Sequence, residues 1–235
     1  MRIFLSLLVL VLLNACSHQK VQPPPQDAPA PAENEGVHAL TAEQVRQLQK
    51  AQGLREEGMR YLYSKDPRVK DAKKAFAKLL EAAELGDPLA MDSVGGMYSA
   101  GVGGAERSCA KAMEWFERAT ASGYPLAANN LAYLYVTCDN KKLRDPAKAE
   151  TILKMMFATN PSMIAVLDTY AALLAEQTDF PNAANTMKVV IDLQEFIDSN
   201  PQRIDESKQA LALYLKKRKL KAGFDTKPEI DRPVN

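Results

Sequence analysis

The chain has 235 residues, 46% of them hydrophobic, with 30 Lys plus Arg set against 29 Asp plus Glu. Such a balance lacks the basic footprint of general nucleic-acid binding, so no nucleic-acid partner is expected. The length suffices for one good core or for an elongated array of small units.

Met1 and Arg2 give a short cationic start, and Ile3 to Leu13 form an eleven-residue apolar run broken only by Ser6. A membrane-spanning helix needs about 20 apolar residues. Residues 1–15 are therefore expected to be a signal peptide that is cleaved. The closing Leu13-Asn14-Ala15-Cys16 resembles the lipobox of bacterial lipoproteins, although Asn14 replaces the usual small residue. The resemblance implies lipidation of Cys16, and three acyl chains at about 0.8 kcal/mol per buried CH₂ make such an anchor effectively permanent. Ser17 after the cysteine, in the Gram-negative sorting pattern this resembles, implies the outer membrane with the folded part facing the periplasm. The alternative is an ordinary signal peptide cut near Ala15, leaving Cys16 as a free thiol.

Residues 17 to 40 hold Pro23, Pro24, Pro25, Pro29 and Pro31 and almost no large apolar side chain. Burial there cannot offset the entropy of ordering, so 16–40 is expected to be the lipidated Cys16 followed by a disordered linker. As a flexible coil it spans roughly 27 Å, and as extended polyproline about 75 Å. Residues 41–222 are expected to form the helical-repeat domain and 223–235 a disordered tail.

Thr41 and Gln44 are placed as a capping box ahead of a periodic apolar run. From there the pattern stays helical, with no sustained period-two stretch, so the predicted class is all-α. Gly58, Gly95 and Ala132 recur at intervals of 37, as do Tyr61, Tyr98 and Tyr135. Ala75, Ala112 and Ala149 keep the same interval of 37, each preceded by Lys74, Lys111 or Lys148, and Ala183 follows after 34. A period in the thirties built from two helices means an α-α superhelix of stacked hairpins. The small residues mark where the two helices of a hairpin approach closely. Helices are predicted over 43–64 and 71–85, 88–100 and 107–121, 125–137 and 146–158, 161–177 and 180–197, and a capping helix over 202–220.

The residues of the second and third units carry a family resemblance. Ala90, Val94, Gly95, Tyr98, Gly101, Val102, Lys111, Ala112, Trp115, Phe116 and Ala119 match the pattern of the Sel-one-like repeat. Residues 161–195 are similar instead to a tetratricopeptide repeat. Departures are "CDNKKLRDP" in place of the glycine loop in the third hairpin, and the absence of upstream alanines in the hairpin of Gly58. In this family Trp115 is a packing position.

Cys109 and Cys138 form an even pair in an oxidising compartment. Cys109 starts the second helix of one unit and Cys138 ends the first helix of the next, which places both at the same end of the stack. A disulfide there would stabilise by roughly 3.5 kcal/mol; the alternative is two reduced thiols. Gly101-Val102-Gly103-Gly104 follows a helix and lacks a Gly-Lys-Ser/Thr ending, so it reads as a turn rather than a phosphate loop. His18 and His38 sit in or beside the linker, away from both remaining cysteines, so neither a zinc site nor a Cys/His catalytic pair is expected. No metal, cofactor or enzymatic activity is expected. Acidic pairs such as Glu56-Glu57 and Glu81 with Glu84 read as solvated helix faces.

Lys216, Lys217, Arg218, Lys219 and Lys221 close the last helix, where cations suit the macrodipole. They could also contact anionic lipid or glycan. The resemblance implies binding through a concave face, and its register carries the exposed first-helix positions onto Arg55, Asp92, Ser99, Asn129, Tyr133 and Asp168. Two functions of different class follow: a tethered scaffold binding another protein to assemble or position an envelope complex, or an accessory lipoprotein binding peptidoglycan or an exported polysaccharide.

Overall fold

The computed structural model describes residues 40–159, 163–197 and 200–218. The signal peptide, Cys16, the linker, Lys219, Lys221 and the tail lie outside the described residues. The helices are α1 (Ala42–Tyr63), α2 (Ala72–Glu84), α3 (Pro88–Ala100), α4 (Cys109–Ala121), α5 (Leu126–Thr137), α6 (Pro146–Thr159), α7 (Met163–Glu176), α8 (Phe180–Phe196) and α9 (Pro201–Leu215), with a 3-10 turn at Lys141–Leu143. Among the described residues there is no strand. The bounds of α1 to α8 agree with the sequence expectation to within two residues. The capping helix is shorter than the predicted 202–220, because Lys217 turns left-handed (φ 54°) and breaks the helical run after Leu215.

Local chemistry explains where the helices start. Thr41 and Gln44 form both bonds of the capping box, at 2.8 and 3.2 Å. Asp71, Asp87, Ser108 and Asp179 each accept from backbone N–H groups of the first turn that follows them, satisfying donors a helix cannot satisfy itself. Pro88, Pro181 and Pro201 occupy first-turn positions, where a missing N–H costs nothing.

Within each hairpin the helices meet at the small residues. A Cβ on Gly58 would sit 3.2 Å from the Ala75 carbonyl oxygen and 2.8 Å from Leu79 Cγ. A Cβ on Gly95 would sit 3.2 Å from the Ala112 carbonyl oxygen and 2.7 Å from Phe116 Cε1. Ala132 and Ala149 hold the same places in the third hairpin, both fully buried. The repeated tyrosine staples the far end of the same crossing. The N–H groups of Asp71, Ser108 and Asp145 donate to the carbonyls of Tyr61, Tyr98 and Tyr135, at 2.9 Å in all three hairpins. The ammonium groups of Lys74, Lys111 and Lys148 then lie 5.6, 5.2 and 5.5 Å from the centres of those tyrosine rings. The lysine that precedes each repeated alanine is thus a cation-π partner across the hairpin.

Hairpins stack through successive packing of α2 on α3, α4 on α5, α6 on α7 and α8 on α9, while α5 also packs on α7. Polar bonds tie the first helices side by side. Arg55 of α1 donates to Asp87, the N-cap of α3, at 2.9 Å, and Asn130 of α5 donates to Asp92 of α3 at 2.9 Å. Arg144 reaches Glu176 at the end of α7, 3.1 Å away. The glycine loop contributes to a seam as well: Gly103, at φ 69°, is pressed so closely on the first hairpin that a Cβ would lie 2.5 Å from the Ala72 carbonyl oxygen. One continuous core of Leu79, Met97, Phe116, Leu134, Leu153, Leu173, Met187 and Tyr214 runs from α2 to α9.

Gly95 and Gly53 make a matched test of the crossing, since a Cβ on Gly53 meets nothing within 4 Å. Gly53→Ala is expected to stabilise by about 1 kcal/mol through helix propensity, and Gly95→Val to destabilise by about 3 kcal/mol through overpacking. Thermal unfolding followed by far-UV circular dichroism reads both, and melting shifts of the same sign would refute the close-approach account.

Candidate functional site

The row of first-helix positions in this chain can be placed residue by residue. Arg55 and Asp92 are half-buried and already bonded, Arg55 to Asp87 and Asp92 to Asn130. Ser99 is half-buried near the end of α3, its carbonyl accepting from Arg107 Nε at 3.2 Å. Tyr133 and Asp168 are half-buried on α5 and α7. Asn129 corrects the expectation of an exposed face: it is only 8% exposed, and its Oδ1 is buried without a hydrogen-bond partner. Helix α5 packs on α4, α6 and α7 at once, which leaves little of its surface to solvent.

The capping helix supplies a residue that the sequence did not single out. Tyr214 is 1% exposed, and its hydroxyl has no hydrogen-bond partner. Its phenol is pushed strongly upward, by burial first and then by the nearby Asp168 and Tyr133. Tyr133 of α5 and Asp168 of α7 are therefore near enough to act on this tyrosine electrostatically, while α9 itself packs on α8. Nothing in the composition of α9 signals this; only the turn of its buried face, Ser207, Ala210 and Tyr214, does so once the helix is placed.

Cys109 and Cys138 are joined as a disulfide, with their Cα atoms 6.1 Å apart. Cys109 opens α4 and Cys138 caps α5, so the bond ties the second unit to the third. Charged groups reinforce the same place: Arg107 pairs with Asp139 at 2.9 Å, and Arg144 Nε donates to the Cys138 carbonyl at 2.6 Å. The glycine loop is a turn, with Gly101, Gly103 and Gly104 all at positive φ. Trp115 packs into the core, with the Arg118 guanidinium 4.0 Å from its ring centre. Lys216, Lys217 and Arg218 are exposed after α9, while Lys219 and Lys221 lie outside the described residues. A cavity of about 290 Å³ opens between α6 and α7, lined by Glu150, Leu153, Lys154, Phe157 and Tyr170. Its walls are the edge-to-face pair Phe157–Tyr170, and Glu150 and Lys154 pair at 2.7 Å. Among the described residues no three His, Cys, Asp or Glu side chains are grouped to hold a metal ion, and no helix is long and apolar enough to cross a membrane.

No family model matches the chain, and no curated protein matches it. Among solved structures it is similar to a Sel1 repeat protein from Oxalobacter formigenes, 26% identical, over 51% of this chain and 90% of that one, with a TM-score of 0.41. The helix-pair repeat described above stands on the helices of this chain and on their 37-residue register.

Two measurements probe the site. Replacing both cysteines by serine, or adding reductant, is expected to lower the stability to unfolding by about 3.5 kcal/mol, read by chemical denaturation; an unchanged midpoint would show that the bond contributes nothing. Tyr135 donates to Glu117 at 3.0 Å, and burial, with that carboxylate second, pushes its phenol from 10.0 up to about 12. A raised native pKa means the native state keeps a proton that the unfolded chain gives up. Stability contributed by Tyr135 is therefore intact below about pH 10 and lost as pH rises towards 12. Tyr135→Phe is expected to flatten the stability profile over that window, and a profile as steep as the wild type would contradict the assignment.

Proposed function

We propose that the protein is an interaction scaffold: a lipoprotein anchored at the outer membrane through Cys16, whose repeat array faces the periplasm and binds another protein to assemble or position an envelope complex. The observation that carries this reading is the continuous layer of first helices. Arg55–Asp87 and Asn130–Asp92 fix α1, α3 and α5 in register, α7 follows on α5, and Ser99, Tyr133 and Asp168 remain half-exposed along that layer. A face built from several helices, rather than from one cluster of titratable groups, suits recognition of an extended or helical segment. Signal, lipobox and proline-rich linker support the compartment and the tether.

The row of groove residues divides accordingly. Arg55 and Asp92 bond across the seams and Asn129 is buried, which leaves Ser99, Tyr133 and Asp168 as the half-exposed part. Binding of peptidoglycan or an exported polysaccharide is the competing reading, resting on the exposed Lys216, Lys217 and Arg218.

Crosslinking and recovery from envelope extracts separates the two. Ser99→Arg is expected to abolish capture of a protein partner by the folded, tethered chain, while Lys216→Ala with Lys217→Ala and Arg218→Ala leaves it intact. Cosedimentation with purified sacculi that is lost in the second variant, without any protein captured by the wild type, would overturn the scaffold reading in favour of the glycan.

A further inference from the structure

The two edges of the array differ in what they expose. Connections of three to eight residues join successive helices, so the direction reverses each time. One edge therefore carries the starts of the first helices and the ends of the second helices. The other carries the opposite termini, together with the disulfide and the last turn of α9. Large exposed apolar side chains concentrate on the first of these edges. Leu40, Val45 and Leu48 sit at the start of α1. Leu89 opens α3, Met155 and Phe157 lie in the closing turns of α6, and Phe196 and Ile197 close α8 at 87% and 57% exposed. The opposite edge exposes Val102 and Leu215, and Val189 is exposed midway along α8. Helix α1 accentuates the asymmetry, since with 22 residues against 13 in α2 its early turns overhang the hairpin.

We propose that this apolar edge rests on the lipid surface, docking the array edge-on at the membrane instead of leaving it free on its tether. The proposal builds on the lipoprotein reading of Cys16. It is also carried by where the chain arrives: α1 begins on this edge, and the 24 residues between Cys16 and Thr41 reach from about 27 Å as a coil to about 75 Å fully extended. A tether from Cys16 thus joins the array at its apolar edge and presents that edge to the bilayer first. Several basic side chains near this edge are already neutralised, since Arg46, Lys50, Lys154 and Lys208 each meet a carboxylate at 2.6 to 3.0 Å, and Arg118 lies over the Trp115 ring; this favours insertion over charge attraction. Docking is therefore expected to be indifferent to salt, unlike attraction through Lys216, Lys217 and Arg218, which follow α9 on the other edge. An exposed apolar set of this kind on a monomer marks an interaction surface, and protein partners that use it appear below as an outcome that sinks the proposal.

The test uses the chain freed of residues 1–15 and carrying Cys16→Ser, so that no acyl chain contributes. Flotation with uncharged phosphatidylcholine vesicles is expected to recover this chain at low and at high salt alike. Phe196→Ser with Ile197→Ser is expected to lower the partition onto vesicles by about a hundredfold, the lower end of the scale for two large apolar side chains withdrawn from lipid, while Val102→Ser with Leu215→Ser leaves it unchanged. Far-UV circular dichroism confirms that both variants are folded. Failure of the starting chain to float, equal loss in both variants, or self-association abolished by the first variant without any flotation would each overturn edge docking. Intact-mass analysis of the mature N-terminus reports separately on lipidation, so a wrong anchor and a wrong edge give different results.

Discussion

Everything in this array depends on how near two helix backbones can come. At Gly58 and Gly95 the space left for a Cβ is under 3 Å from a neighbouring side-chain carbon, so the helix axes are as close as chain atoms permit. That approach sets the tilt of each hairpin, and a tilt repeated every 37 residues sets the path of the whole stack. The tyrosine carbonyl bonds and the lysines over the tyrosine rings act at the same crossing. They hold the second helix to one angle once the backbones have met. Dispersion and burial then follow, because Leu79 and Phe116 fill the room beside the crossing.

The repeat was readable because it rests on residue size, and size is visible in a sequence. Glycine, alanine, tyrosine and lysine at fixed offsets specify both helices, their register and the cysteine pair across two units. Cap chemistry at Thr41 marked the first helix start for the same reason, since a capping side chain acts within three residues of itself. The first-helix row was less legible. Whether Asn129 is open or covered depends on how α7 lies along α5, a matter of helix rotation between units that no local pattern encodes. Tyr214 is the clearest case: an ordinary tyrosine near a cationic stretch, whose place against Tyr133 and Asp168 emerges only when the last helix folds back on the stack. The end of that helix was misjudged too, because Lys217 has a residue type that gives no sign of a left-handed turn.

Polar residues in this protein serve the array before they serve a partner. Arg55 with Asp87, Asn130 with Asp92 and Arg144 with Glu176 each join one unit to the next. Both ion pairs are partly shielded from water, where breaking one partner costs more than an exposed pair would. The accessible part of the first-helix face is correspondingly short, and the two edges, one apolar and one crosslinked and charged, give the molecule distinct sides. An array with distinct sides can be oriented.

The disulfide lies between the second and third units, with units on either side that have no covalent link across their seams among the described residues. In mechanical terms the chain has a rigid midsection and two compliant arms. Tension applied between the two ends of the array would open the outer seams first, while the span from Cys109 to Cys138, 29 positions apart, bears load without lengthening. The central hairpins would keep their curvature under pull, as the part of the spring that does not stretch.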